Sequence, residues 1–127
     1  MSAFVDLGEI APQVLFDGLL ARTVVGERMT LAVIELEPNS VVPEHSHDNE
    51  QLGVLASGSL RFRVGDEERE LGPGSTWRIP AHVSHEVRTG PDGAVAVEVF
   101  APARTDWDGL ERGEPTAPIW PVPSGRL

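Results

Sequence analysis

The residues of this chain best suited to chemistry are its four histidines, which fall in two short segments, His45-Ser46-His47 and His82-Val83-Ser84-His85. In an extended strand alternate side chains share a face, so His45 and His47 present two imidazoles to one point. Imidazole nitrogen suits zinc, copper, iron and nickel, and three or four protein ligands with one open position mark a catalytic centre rather than a purely structural one. The chain has no cysteine, so an ion here must be held by nitrogen and oxygen. Two candidates for an oxygen ligand, Glu50 and Gln51, follow His47, and adjacent strand residues cannot both face inward. Gln51 shares the parity of His45 and His47, whereas Glu50 would need a bulge at Asp48-Asn49 to reach the same face. Gln51 is the preferred reading. A neutral amide oxygen leaves the ion more positive, which strengthens it as a Lewis acid toward a carbonyl or enol oxygen and weakens it as an oxygen-activating centre. Glu50 would then orient a ligand histidine from behind.

These side chains must be carried by strands. Segments 14–16, 19–25, 29–36, 51–56, 60–64, 75–79, 86–88 and 94–100 are short, rich in β-branched and apolar residues, and separated by Gly, Pro, Asn or Asp. Leu60, Phe62 and Val64 alternate with Arg61 and Arg63, the two-residue period of a strand with one buried and one wet face. Gly65-Asp66 and Gly72-Pro73-Gly74 read as turns, and Pro91-Asp92-Gly93 reads as the closure of another hairpin. Trp77 and Arg78 point to opposite faces, so one of them lines the interior. The pattern is all-β, a sandwich or barrel. Residues 105–113 read as a short helix or an irregular excursion. Residues 114–127 carry Pro115, Pro118, Pro121 and Pro123, too many for a central strand, and Trp120 is expected to anchor this tail on the barrel or on a neighbouring subunit.

At 127 residues the chain is expected to form one domain. Its formal net charge of -10, with ten arginines and no lysine, disfavours nucleic acid and anionic membrane as partners, because phosphates would be repelled. A small-molecule substrate fits better. No basic start precedes an apolar stretch, and no apolar run approaches the roughly 20 residues of a spanning helix, so the expectation is a soluble, cytoplasmic protein.

With these residues placed, the chain resembles a small single-domain cupin. The family's first motif, G-x5-H-x-H-x3,4-E-x6-G, is met by His45, His47 and Gly58, with Asn39 at the first glycine and Gln51 at the acid. The second, G-x5-P-x-G-x2-H-x3-N, is met by Gly74, Pro80 and His85, with His82 at the internal glycine and Thr89 at the asparagine. The resemblance implies a jelly-roll β-barrel over about 14–100. It also implies one divalent metal ion, zinc, nickel, manganese or iron, on His45, His47, Gln51 and His85. The departures at Asn39, His82 and Thr89 concern turn geometry, and His82 reads as a loop residue. Small cupins commonly pair their sheets, so a homodimer is expected.

A second stretch, Glu98-Val99-Phe100-Ala101-Pro102-Ala103-Arg104, resembles the D-V-F-x-P-x-R that closes the barrel of pectin-degradation (KdgF-like) cupins, which linearise unsaturated uronates. The resemblance implies that Glu98, Phe100 and Arg104 surround the substrate. Independently, Glu98 and Phe100 share a strand face with Ala94 and Ala96, whose small side chains leave space beside an acid. The mechanism expected is Lewis-acid activation of an enol or hemiacetal, with Glu98 shuttling a proton, Arg104 gripping a substrate carboxylate and Phe100 forming an apolar wall. A cupin dioxygenase, a polyketide cyclase and a non-enzymatic ligand-binding or metal-sensing cupin are the alternatives.

Overall fold

The structure, a computed structural model, describes residues 2–122. Eight strands run β1 (Gln13–Phe16), β2 (Leu19–Val25), β3 (Thr30–Leu36), β4 (Val41–His45), β5 (Glu50–Val64), β6 (Glu67–Leu71), β7 (Thr76–Ile79) and β8 (His85–Ala101), all paired antiparallel. β5 and β8 are the spine. Their outer halves, 51–58 and 94–101, pair with each other between β3 and β7. Their inner halves, 60–64 and 85–89, pair again between β4 and β6. Two long strands thus belong to both sheets of a jelly roll, and the barrel closes around them.

The fold corrects the reading of Pro91-Asp92-Gly93 as a hairpin. The ladder between β5 and β8 skips from Gly58↔Ala94 to Leu60↔Thr89, so residues 90–93 bulge outward opposite Ser59 while the strand continues. A bulge bends and twists a strand without reversing it, and this one lets β8 cross from one sheet to the other. Gly58, at φ 82°, makes the matching bend in β5, and a Cβ there would meet the carbonyl oxygen of Gly93 at 2.0 Å. Turn residues therefore mark a corner inside one strand.

Two strands depart from an apolar period. β6 reads Glu-Glu-Arg-Glu-Leu, and β4 follows Val41 and Val42 with a proline and a glutamate; both are edges, where charge and proline are tolerated and discourage pairing with other chains. The turn at Gly65-Asp66 and the one at Gly72-Pro73-Gly74 form as read. The region after β8 makes one 3-10 turn, Thr105–Trp107.

The core lies between the sheets and includes Ile34, Leu55, Leu60, Phe62, Ile79 and Val87. Each such side chain, fully withdrawn from water, contributes about 1.5–3 kcal/mol. The tail is latched on the outer face of β2 and β3. Arg22, 1% exposed, bonds Glu35 at 2.6 Å, and its other arm donates to the hydroxyl and carbonyl of Thr116, while Glu35 also accepts from the Ile119 amide. Trp120 is half-buried, and the rest of the expected tail, 123–127, lies outside the described residues. No helix among the described residues is long and apolar enough to cross a membrane.

Candidate metal centre

His45 ends β4 and His85 begins β8, and the two are cross-strand partners. His47 sits in the link to β5, and its carbonyl accepts the amide of His82, which ties the two histidine segments together at 2.7 Å. The three rings of His45, His47 and His85 meet, with centroids 4.2, 5.0 and 5.7 Å apart, and their ligand atoms lie within 4.8 Å of one another. His82 is exposed in its loop at φ 66°, and Asn39 has φ 56°. These two stand where the motif has glycine, so the left-handed turn survives with residues that tolerate it better than most. Thr89 fills the asparagine position by bonding the carbonyl of Glu37 and the amide of Ser40, both at 2.7 Å.

Each ring is held from behind by the backbone. The Nδ1 atoms of His45, His47 and His85 lie 2.8, 3.0 and 2.9 Å from the carbonyls of Pro43, Asn49 and Val83. A carbonyl only accepts, so each Nδ1 carries the proton and each Nε2 keeps its lone pair. Glu50, expected to orient a ring, is exposed and remote from this task. Burial lowers the pKa of His47, helped by the nearby Arg104, and lowers that of His85 to about 4. The imidazoles of His47 and His85 are therefore neutral at neutral pH, the form a metal binds.

Gln51 faces inward and is 5% exposed. Its Oε1 lies 3.0 Å from the Nε2 of His47, and its Nε2 donates to Glu98. Two lone pairs thus confront each other. The Nε2 of His85 is buried with no hydrogen-bond partner, an arrangement that costs about 1–3 kcal/mol when nothing answers it. A cation among these atoms resolves both misfits, so the residues fit one divalent ion held by three nitrogens and an amide oxygen.

Beyond the histidines lies a cavity of about 260 Å³, near the small end of ligand pockets at roughly 300 Å³ and above. Glu98, Phe100 and Arg104 all border it, as their sequence suggested. Glu98 is buried, 7% exposed, and burial raises its pKa against the hydrogen bonds from Trp77 and Gln51 and the charge of Arg104. Of the Trp77 and Arg78 pair, Trp77 is the inward one, and its Nε1 donates to Glu98 at 2.9 Å. Gly53 allows this. It lies between Trp77 and Glu98 in the cross-strand register, and a Cβ on it would sit 2.3 Å from the indole. Arg104 stacks on Phe100 and Trp107, 4.8 and 4.2 Å from the ring centres, and spends its Nε and Nη2 on Asp106 at 3.0 and 2.9 Å. Trp107 and Asp106 were not foreseen; the only cue in the chain was an acid two residues beyond Arg104. Asn49, also unforeseen, is buried and donates to the Pro102 carbonyl at 2.6 Å, pinning the loop of His47 to the end of β8.

A two-sheet jelly roll with a histidine cluster inside it defines a class, and the comparison with known families agrees: Cupin_2, the cupin domain, matches residues 32–100. That is more than half of the chain, which belongs to the cupin domain family. Among solved structures, an RmlC-like cupin from Shewanella frigidimarina NCIMB 400 is similar at 20% identity, covering 84% of this chain and 96% of that one with a TM-score of 0.77. KdgF from Halomonas sp. is similar at 20% identity over 84% of this chain and 98% of that one, with a TM-score of 0.76. The polyketide cyclase RemF from Streptomyces resistomycificus is similar at 25% identity over 80% of each chain, with a TM-score of 0.70. None of the curated proteins compared with the chain matches it.

Proposed function

We propose that this cupin binds one divalent metal ion at His45, His47, Gln51 and His85 and is an enzyme acting on a small carbonyl or enol substrate. The observation that carries this reading is the set of three backbone-tethered imidazoles whose Nε2 atoms converge, one of them buried and unanswered. When bound, the ion supplies a Lewis acid that polarises a substrate oxygen.

The chain's own residues do the rest. Phe16, Phe62, Phe100 and Trp107 give the cavity an aromatic, mostly apolar wall that excludes water and suits a flat substrate. The Nη1 of Arg104, which Asp106 does not take, is placed to donate to a substrate oxygen. The Oε1 of Glu98 is the carboxylate oxygen left over after Gln51 and Trp77 bond to Oε2, and it is the group to accept or return a proton at a substrate carbon. These features support cyclisation or isomerisation of a mostly apolar enolisable ketone, and the likeness to RemF supports the same direction.

A second reading, ring opening of an unsaturated uronate, is favoured by the presence of Glu98, Phe100 and Arg104 together on the cavity and by the likeness to KdgF. Elemental analysis of purified protein, with turnover screens on both substrate types run with and without oxygen, tests the proposal. We expect one ion per chain, lost in His85→Ala, and turnover indifferent to oxygen. Full metal occupancy in His85→Ala would refute the ligand set, and oxygen uptake would turn the assignment toward a dioxygenase.

A further inference from the structure

The buried carboxylate of Glu98 has no obvious reason to be tolerated. Desolvating a carboxylate costs several kcal/mol unless an opposite charge answers it. Among the described residues no cationic side chain bonds Glu98: its partners are the neutral Gln51 amide and the neutral Trp77 indole, and Arg104, whose charge reaches it through space, is bonded to Asp106 instead. On the other side of Gln51 stands a set of ligands that bring no negative charge, three imidazoles and an amide. A divalent ion there would be as poorly compensated as the carboxylate. Each is what the other lacks, and the amide of Gln51 lies between them.

An amide has two ends, and only one binds a cation. With its Nε2 turned toward His47, Gln51 would donate to the imidazole lone pair and block it. Glu98 prevents this, because a carboxylate accepts from the NH2 end and repels the oxygen end. The position of the carboxylate is in turn fixed by Trp77, whose indole reaches it only because Gly53 has no side chain.

We propose, resting on the metal reading above, that Glu98 is the displaced counter-charge of the metal centre and that Glu98 and Trp77 are positioning residues that lock the oxygen of Gln51 toward the ion. The sequence pattern of a cupin with Gln in place of Glu is then not a loss of ligand charge. The charge has moved one hydrogen bond outward, onto a different strand.

The test uses Co2+ alone as probe, titrated into metal-free protein and followed by calorimetry and by the visible spectrum of the bound ion. In Glu98→Gln the amide oxygen can still accept from Trp77 and Gln51, but the counter-charge is lost and the new NH2 no longer repels the oxygen end of Gln51. The expected result is a 10–100-fold weaker Co2+ affinity, the range seen when a group that orients a ligand is removed. It comes with an altered spectrum and an unfolding temperature of the metal-free protein equal to or above that of the wild type, because an ionisable group has gone from a buried place. Trp77→Phe, which removes the indole N–H and leaves a smaller ring in the core, should weaken Co2+ severalfold. A residue that merely held up the fold would lower the metal-free melting temperature, opposite in sign to this expectation. Unchanged Co2+ affinity in Glu98→Gln, while His85→Ala abolishes binding, would overturn the inference and leave the metal centre standing. Failure of the wild type to bind Co2+ would overturn both.

Discussion

Acidification probes the histidine cluster directly. His85 is buried, and burial holds its pKa at about 4 against an ordinary value of 6.5. In the unfolded chain the ring titrates at that ordinary value, so between the two values the unfolded state takes up a proton that the folded state refuses. The contribution of this group to stability is complete above about pH 6.5 and is lost as the pH falls toward 4. A gap of about two and a half pH units corresponds to ~3 kcal/mol at the acid limit and ~2 kcal/mol at pH 5. His47 is displaced in the same direction and adds to the loss. Glu98 acts oppositely: with its pKa raised, its neutral form is favoured in the fold, and its contribution fades as the pH rises through its folded value. Urea unfolding of metal-free protein at several pH values between about 7.5 and 5, beside a His85→Phe variant with a ring of similar size that does not titrate, isolates the term. The wild type should lose ~2 kcal/mol more than the variant over that range. Parallel losses in the two proteins would refute the claim that His85 is held neutral by burial.

Gly53→Ala places a Cβ 2.3 Å from the Trp77 indole, so the ring must move and its bond to Glu98 must break. Overpacking of this kind costs about 1–3 kcal/mol, visible as a lower melting temperature and a shifted tryptophan emission; neither change would mean the indole is not seated there. Arg22→Ala leaves Glu35 without its partner and frees Thr116, with a loss of about 3–5 kcal/mol in urea unfolding and faster proteolysis of the tail. Arg61→Ala, whose partners Glu68 and Glu70 are exposed, should cost less than about 1 kcal/mol, so equal losses in the two variants would contradict the burial argument. The expected homodimer would cover the exposed outer row of Val24, Leu31 and Leu52, aligned through the β2–β3–β8–β5 register. Leu52→Glu should then shift sedimentation from dimer to monomer, and a wild type that sediments as a monomer would dismiss that partner.

The sequence by itself determined the strands with an apolar period, the turns at residues 65–66 and 72–74, and which histidines converge. Motif spacing is a local property, and it also selected Gln51 over Glu50; the strand expected to carry His45 and His47 together ends at His45, and residues 46–49 are a link that brings His47 to the same point. What the chain alone could not reveal depends on partners distant in sequence. Residues 91–93 have the composition of a turn, yet pairing with β5 on both sides keeps β8 running through them. β6 is a strand only because a neighbour supplies the hydrogen bonds that its own charged residues would not call for. The cavity wall follows the same rule. Asp106 claims two nitrogens of Arg104, and Trp77 reaches Glu98 across a glycine on the strand between them. Periodicity tells which way a side chain points; only the packed sheets decide what it meets there, because those contacts join residues that no spacing in the sequence connects.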